Sequence, residues 1–185
     1  MKAKLLVLTL AAVLASCASG NSGGTKVDQA KFMEECKKIE DHVYARCTVK
    51  FKGTLKEGDV ETKMDYEFKY VWNGTTKAFD YDGDAPTDPN EYYAAMQTKS
   101  QISYTLKKIA QMQEEDPEPL PEGYKYEYYI NPFRVVSEIT GEYQTTKNDS
   151  KYNKYGYIVS LKANISAMGG TQTSKSTATA TYADA

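Results

Sequence analysis

Five acidic side chains between residues 80 and 91 offer the clearest metal chemistry in this chain. Asp80, Asp82, Asp84, Asp88 and Glu91 occupy positions 1, 3, 5, 9 and 12 of the segment, with the Pro86 carbonyl at 7. Those are the oxygen positions of a calcium-binding EF-hand loop. The pattern departs at position 6, where a sharp turn needs glycine and the sequence has Ala85. A strand, not a helix, leads into it. A second reading uses the same residues. Asp88-Pro89-Asn90-Glu91 is an N-cap, a first-turn proline and a capping-box glutamate, which leaves the other three acids as a solvated turn. Calcium is therefore the one cofactor to test.

Sixteen tyrosines are the second chemical anomaly. Tyr66, Phe68, Tyr70 and Trp72 alternate with Asp65, Glu67 and Lys69, so they share one side of a strand. They could wall a site for an apolar ligand, or they could simply fill a core, as aromatic stripes at strand spacing usually do. Tyr124, Tyr126 and Tyr128 repeat the pattern. Catalysis finds no comparable support. His42 is the only histidine, and there is no nucleophile elbow, HExxH pair or phosphate-cradling glycine loop. No enzyme is expected.

The N-terminus carries a different kind of chemistry. Lys2 and Lys4 precede an apolar run from Leu5 to Leu14 interrupted only by Thr9, which has the length of a signal-peptide core and not of a membrane span. Leu14-Ala15-Ser16-Cys17 follows. This resembles the lipobox of bacterial lipoproteins, in which small residues admit a signal peptidase and the cysteine thiol takes a diacylglycerol. The resemblance implies cleavage after residue 16, lipidation of Cys17, and a Gly/Ser-rich tether over 17–26. The domain would then sit at a cell membrane or outer membrane, facing the exterior or the periplasm. Removing residues 1–16 from 185 leaves 169, suited to one domain over 27–185. With Lys2 and Lys4 gone, 21 basic residues face 25 acidic ones, so no nucleic-acid partner is expected.

Export would permit a disulfide. The spacing predicts a helix over 27–42, capped by Asp28, with Phe32, Cys36, Ile39 and Val43 on one face. A strand follows with Val43, Ala45, Cys47, Val49 and Phe51 on its buried side. Cys36 and Cys47 therefore point into one core, where a bridge would contribute ~3 kcal/mol. Two reduced, buried thiols are the alternative. With one histidine, the cysteines make a poor zinc set.

The elements that must position these residues follow from periodicity and breakers. Lys56-Glu57-Gly58-Asp59 reads as a hairpin turn, then a long strand over 60–72, an Asn73-Gly74 turn and a short return to Phe79. Residues 91–113 read as one helix, and the acidic, proline-rich segment 114–121 as an extended connector. A strand over 124–130 precedes Asn131-Pro132, read as a cap and first-turn proline opening a short helix that Gly141 ends. Two last strands run through Tyr157–Ile165 and, after Gly169-Gly170, to Tyr182. The final one is weakly hydrophobic and is expected at an edge.

The expected class is α+β: a curved, half-barrel-like antiparallel sheet with an N-terminal helix and a helical insertion packed on one side. This order, with Val49–Leu55 followed by a long amphipathic strand, resembles the LolA/LppX-like half-barrel lipoproteins. The resemblance implies a membrane-anchored, non-catalytic lipoprotein with a lipid-like or apolar ligand on the concave face. The alternative is a structural or adhesive surface lipoprotein that binds a macromolecule and has no internal ligand cavity.

Overall fold

The computed structural model describes residues 24–117 and 119–185. The leader 1–16, Cys17 and most of the tether lie outside the described residues. Strand β1 is Thr25–Val27, helix α1 Gln29–Lys37, β2 Arg46–Glu57, β3 Val60–Asn73 and β4 Ala78–Tyr81. Helices α2 (Pro89–Ile102) and α3 (Leu106–Glu115) come next, then β5 Tyr124–Ile130, β6 Arg134–Thr140, β7 Gln144–Tyr152, β8 Ile158–Ala167 and β9 Gln172–Ala183. The strands form one antiparallel sheet in the order β1-β5-β6-β7-β8-β9-β2-β3-β4. It is open, not closed into a barrel. The helices pack on its inner face: the Phe32 ring of α1 lies 4.9 Å from Tyr128, and Tyr70 of β3 donates to the Ala95 carbonyl of α2 at 2.8 Å. Both edge strands are short, which limits pairing with other chains.

Local signals account for the best-read elements. Gly58, at φ +59°, makes the tight turn that joins β2 to β3. From there the two strands stay in register from Glu57↔Val60 to Arg46↔Val71. Asp28 caps α1 by accepting from the Lys31 amide at 2.8 Å, and Asp88 caps α2 by accepting from Asn90 and Glu91, each at 3.0 Å.

Several elements differ from expectation for identifiable reasons. Helix α1 stops at Lys37, and Val43 is 57% exposed. The intervening backbone serves tertiary contacts, with the His42 carbonyl accepting from the Tyr157 hydroxyl at 2.8 Å. The helix expected over 91–113 is two helices. Ser103 Oγ accepts from the Phe79 amide at 3.0 Å, Thr105 caps α3, and the Leu106 amide donates to Gly156 at 2.9 Å. Asn131-Pro132 opens a turn, not a helix. Asn131 has φ +56°, a left-handed conformation that asparagine tolerates, and Val135 and Val136 then continue as β6.

Strand β7 was not expected, because Gln-Thr-Thr-Lys-Asn-Asp-Ser-Lys-Tyr shows no apolar alternation. Residues 25 and 26, assigned to the tether, pair with Tyr129 and Ile130 as part of β1. The last strand is not at an edge. β9 lies between β8 and β2, and its weak hydrophobicity reflects small inward residues rather than exposure: Ala178 is buried.

Candidate functional site on the inner face of the sheet

Cross-strand register sorts the inner face into rows. One row runs Tyr66, Phe51, Ala178, Leu161, Ser150, Val135, Tyr128. The next runs Met64, Gly53, Ser176, Ala163, Asn148, Ser137, Tyr126, and the third Thr62, Leu55, Ser174, Ile165, Thr146, Ile139, Tyr124. None of these residues carries a charge. In the middle row the central side chains are short and the end ones, Met64 and Tyr126, are large. That profile makes a trough, with Gly53, Ser176 and Ala163 as its half-buried floor. At Gly53 the Met64 methyl packs over the bare backbone. A Cβ there would meet the Lys175 carbonyl, Met64 Cε and Ser176 Cβ, each at 3.1 Å.

Above the first row the face is closed. Helix α2 lies on it, and only about 10 Å³ remains between Thr98, Gln101 and Ile102 of the helix and Val49, Leu161 and Ala178 of the sheet. That space holds at most a water molecule. Phe68 is 4% exposed and Tyr70 1%, with the Tyr70 hydroxyl spent on Ala95 O and, at 2.6 Å, Thr98 Oγ1. Burial holds that phenol well above the ordinary tyrosine range. Of the four aromatic residues proposed as ligand contacts, Phe68 and Tyr70 are therefore core. Trp72 packs edge-on against Phe79 at 5.4 Å. Tyr66, half-buried in the trough's first row, is the one placed to meet a ligand. Sequence reasoning passed over the rest of the surface because its floor is made of glycine, alanine and serine, which carry no pattern.

The acidic segment is dispersed. Asp80 accepts from Lys99 Nζ at 2.6 Å and Asn73 Nδ2 at 2.8 Å. These partners hold its carboxyl below the usual range, Lys99 foremost. Asp82 lies 3.7 Å from Arg46, Asp88 is the α2 cap, and Glu91 sits in the first turn. Among the described residues, no three His, Cys, Asp or Glu side chains gather into a metal site. The EF-hand reading of Asp80, Asp82, Asp84, Asp88 and Glu91 is not supported: these carboxylates do not gather, and Asp80, Asp82 and Asp88 are engaged by Lys99, Arg46 and the α2 N-terminus.

Cys36 and Cys47 are both free thiols and both buried. Burial pushes each up to about 12. Cys36 lies near Tyr128 and Tyr152, and Cys47 near Tyr70 and Tyr182. The shared core that spacing predicted is real, but the two thiols stand in separate tyrosine clusters within it, unbridged.

His42 stacks on Tyr155 at 4.2 Å and meets Tyr44 edge-on at 4.4 Å, with Nε2 2.8 Å from Asp184. A second concavity, of about 410 Å³, lies between the end of α1 and the turns at 131–133 and 153–154. Its walls mix Glu35, Lys38, Glu40 and Lys154 with Ile39, Phe133 and Tyr152. Lys38 is already paired with Glu35 at 2.9 Å, and Lys154 lies over the Tyr155 ring at 4.6 Å. No protein-family model and no curated protein matches this chain.

Proposed function

We propose that this chain is a membrane-anchored, non-catalytic lipoprotein that shelters an apolar or lipid-like ligand against the inner face of its sheet. The observation that carries the reading is the charge-free trough: three rows of neutral side chains, floored by Gly53, Ser176 and Ala163 and walled by Met64, Tyr66 and Tyr126. Such a surface gains from covering by hydrocarbon, and a small-residue floor provides the depth. The lipobox at Leu14-Ala15-Ser16-Cys17 supplies the anchor in this reading, and the chain enters the sheet at β1, beside the 131–133 turn.

The test uses full-length chain carrying Cys17→Ser, which the reading expects to be released in soluble form. Native mass spectrometry should show it co-purifying with acyl lipid. Ala163→Trp should fill the trough and remove the lipid, whereas Thr177→Trp, on the opposite face, should not. Equal lipid in both variants, or none in the parent, would sink the proposal.

A second reading has its own observation. The hairpin tips at 58–59, 141–143 and 168–171 are joined by Gly58 N to Thr171 O at 3.0 Å and Met168 N to Tyr143 O at 3.1 Å. They expose Val60, Tyr143 and Met168 by 66%, 69% and 62% at the end of the sheet opposite the chain entry. An adhesive lipoprotein would present such a tip away from its membrane. Loss of partner binding in Val60→Ser/Met168→Ser, with lipid content unchanged, would favour it.

A further inference from the structure

We propose that two copies of this chain pair through the open edge of β3, antiparallel and in register about Met64, so that their sheets continue into one another. The pairing needs no ligand and is independent of the reading above.

The edge is open because β4 is short. β4 pairs with β3 only from Tyr70 to Asn73, and the Asp82 amide extends the cover to the Lys69 carbonyl at 2.9 Å. Below that point, no described strand lies beside β3 on the side away from β2. Shortness limits pairing along β4 itself but uncovers the neighbour it fails to reach. Even-numbered residues of β3 turn their backbone groups toward β2, as the Trp72 amide does in donating to the Ala45 carbonyl at 2.9 Å. Odd-numbered residues turn theirs away, as Lys69 does. Glu61, Lys63, Asp65 and Glu67 therefore aim their amides and carbonyls at the open edge, over roughly 20 Å. No described backbone group bonds them there, and all four side chains are exposed. Such a row is a template for another strand.

Charge selects a second copy as that strand. About a two-fold axis at Met64, Lys63 of each copy falls opposite Asp65 of the other, and the small Thr62 opposite the larger Tyr66. Opposite charges so placed attract and like charges repel. Glu61 falls opposite Glu67, which Lys50 and Lys69 already flank at 3.9 and 3.8 Å. The open edge from Glu61 to Glu67 is itself centred on Met64, so each free amide and carbonyl meets its complement in a ladder of about eight bonds. Moving the register two residues one way sets Asp65 against Asp65 and Glu61 against the covered Lys69 carbonyl. Moving it the other way sets Lys63 against Lys63 and Glu61 against Asp65. The two inner faces then join without a charge, with Met64 meeting Met64 at the axis of an isologous dimer. Antiparallel pairing places the two chain entries at opposite ends of the joined sheet, so copies anchored as proposed above would meet from facing surfaces.

The experiment uses the full-length chain carrying Cys17→Ser. Sedimentation velocity from micromolar to submillimolar protein should show a monomer–dimer equilibrium. Asp65→Pro should abolish it with little change in melting temperature, because the lost amide faces the edge and not β2. Lys63→Asp should weaken dimerisation roughly tenfold, and Lys63→Asp/Asp65→Lys should restore it, since the opposed charges are only exchanged. Register is read by oxidation. Met64→Cys should form a disulfide between copies, with Cα atoms roughly 4.5 Å apart across the axis. Thr62→Cys should not, because it faces Tyr66. Four results would overturn the pairing: a monomer at every concentration, a dimer that survives Asp65→Pro, no recovery in the exchanged variant, or a crosslink at Thr62→Cys in place of Met64→Cys. Should Asp65→Pro fail to fold, the charge exchange and the crosslinks decide the matter.

Discussion

The two faces of the sheet solve opposite problems with the same backbone. Inward, the rows from Tyr66 to Tyr128 and from Met64 to Tyr126 are neutral throughout. Outward, the intervening residues run Glu67, Lys50, Thr179, Ser160, Lys151, Arg134 and Asp65, Lys52, Thr177, Lys162, Asp149, Val136. Most outer ion pairs are exposed, such as Lys52–Asp65 at 3.0 Å with side chains 70% and 71% accessible. One is not. Arg134 grips Asp149 through two bonds of 2.7 and 2.9 Å, with side chains 8% and 6% exposed and the guanidinium 5.1 Å from the Tyr129 ring. The Tyr129 hydroxyl in turn donates to Glu127 at 2.8 Å, which also pairs with Lys26 of β1. Stability thus comes from apolar burial on one face and, on the other, from the covered Arg134–Asp149 pair, which Tyr129 links to the exposed Lys26–Glu127 pair.

The sharpest way to break this contrast is to remove one side chain from each face. Phe68→Ala should cost about 3–5 kcal/mol through lost burial and the cavity left behind. Arg134→Ala should cost a similar ~3–5 kcal/mol, because it strands Asp149 without its partner. Denaturant midpoints measure both, and a small loss at Arg134 would return the whole outer face to the status of solvated decoration.

Acid and alkali should separate the faces next. Burial raises Tyr70, Tyr126 and Tyr152 above the ordinary tyrosine value of 10.0, and the thiols from 9.0 to about 12. A raised pKa means the fold holds the protonated form. This stability is complete below the unfolded values, near 9.0 for the thiols and 10.0 for the phenols, and is lost as pH rises beyond them. On the outer face, Lys26 holds Glu127, and Lys147 holds Glu138, below the ordinary 4.5. That contribution is complete above pH 4.5 and is lost as pH falls. Tyr126→Phe should therefore flatten only the alkaline limb of stability against pH, and Glu127→Gln only the acid limb. Titrated unfolding curves in which either variant moves both limbs would undo the assignment.

Smaller effects refine the picture. Gly53→Ala should cost ~1–3 kcal/mol, since the new methyl meets the Lys175 carbonyl and Met64 must shift. A melting curve unchanged by it would mean the trough floor is softer than its contacts imply. Lys52→Ala, next along the same strand but facing out, should change stability by no more than ~0.5 kcal/mol.

Much of this architecture was legible in residue order. The alternation from Val60 to Trp72, the Gly58 and Asn73-Gly74 turns and the Asp28 and Asp88 caps are local signals, and local physics honours them. Reading failed where neighbours overrode the chain. The stretch from Asn131 to Ile139 looked helical because Asn131-Pro132 fits a helix start as well as a turn. The Gln144–Tyr152 strand gave no signal because its inward positions, Asn148 and Ser150, are polar. Asp80 looked like a metal ligand until Lys99, nineteen residues on, arrived beside it.

The sequence by itself determined which side chains share a face, because a period of two needs no partner to be fixed. It also marked where the chain turns and which acids cap helices. Only the tertiary structure decided which strands are neighbours, and through that everything concerning the site. β9 became central because its alanines and serines let α2 and the flanking aromatics close in. Phe68 and Tyr70 became core and Tyr66 a wall by their distance along one strand from a helix placed by other contacts. The trough exists only across strands, as a row of short side chains contributed by segments more than a hundred residues apart. No one of those segments carries a trace of it.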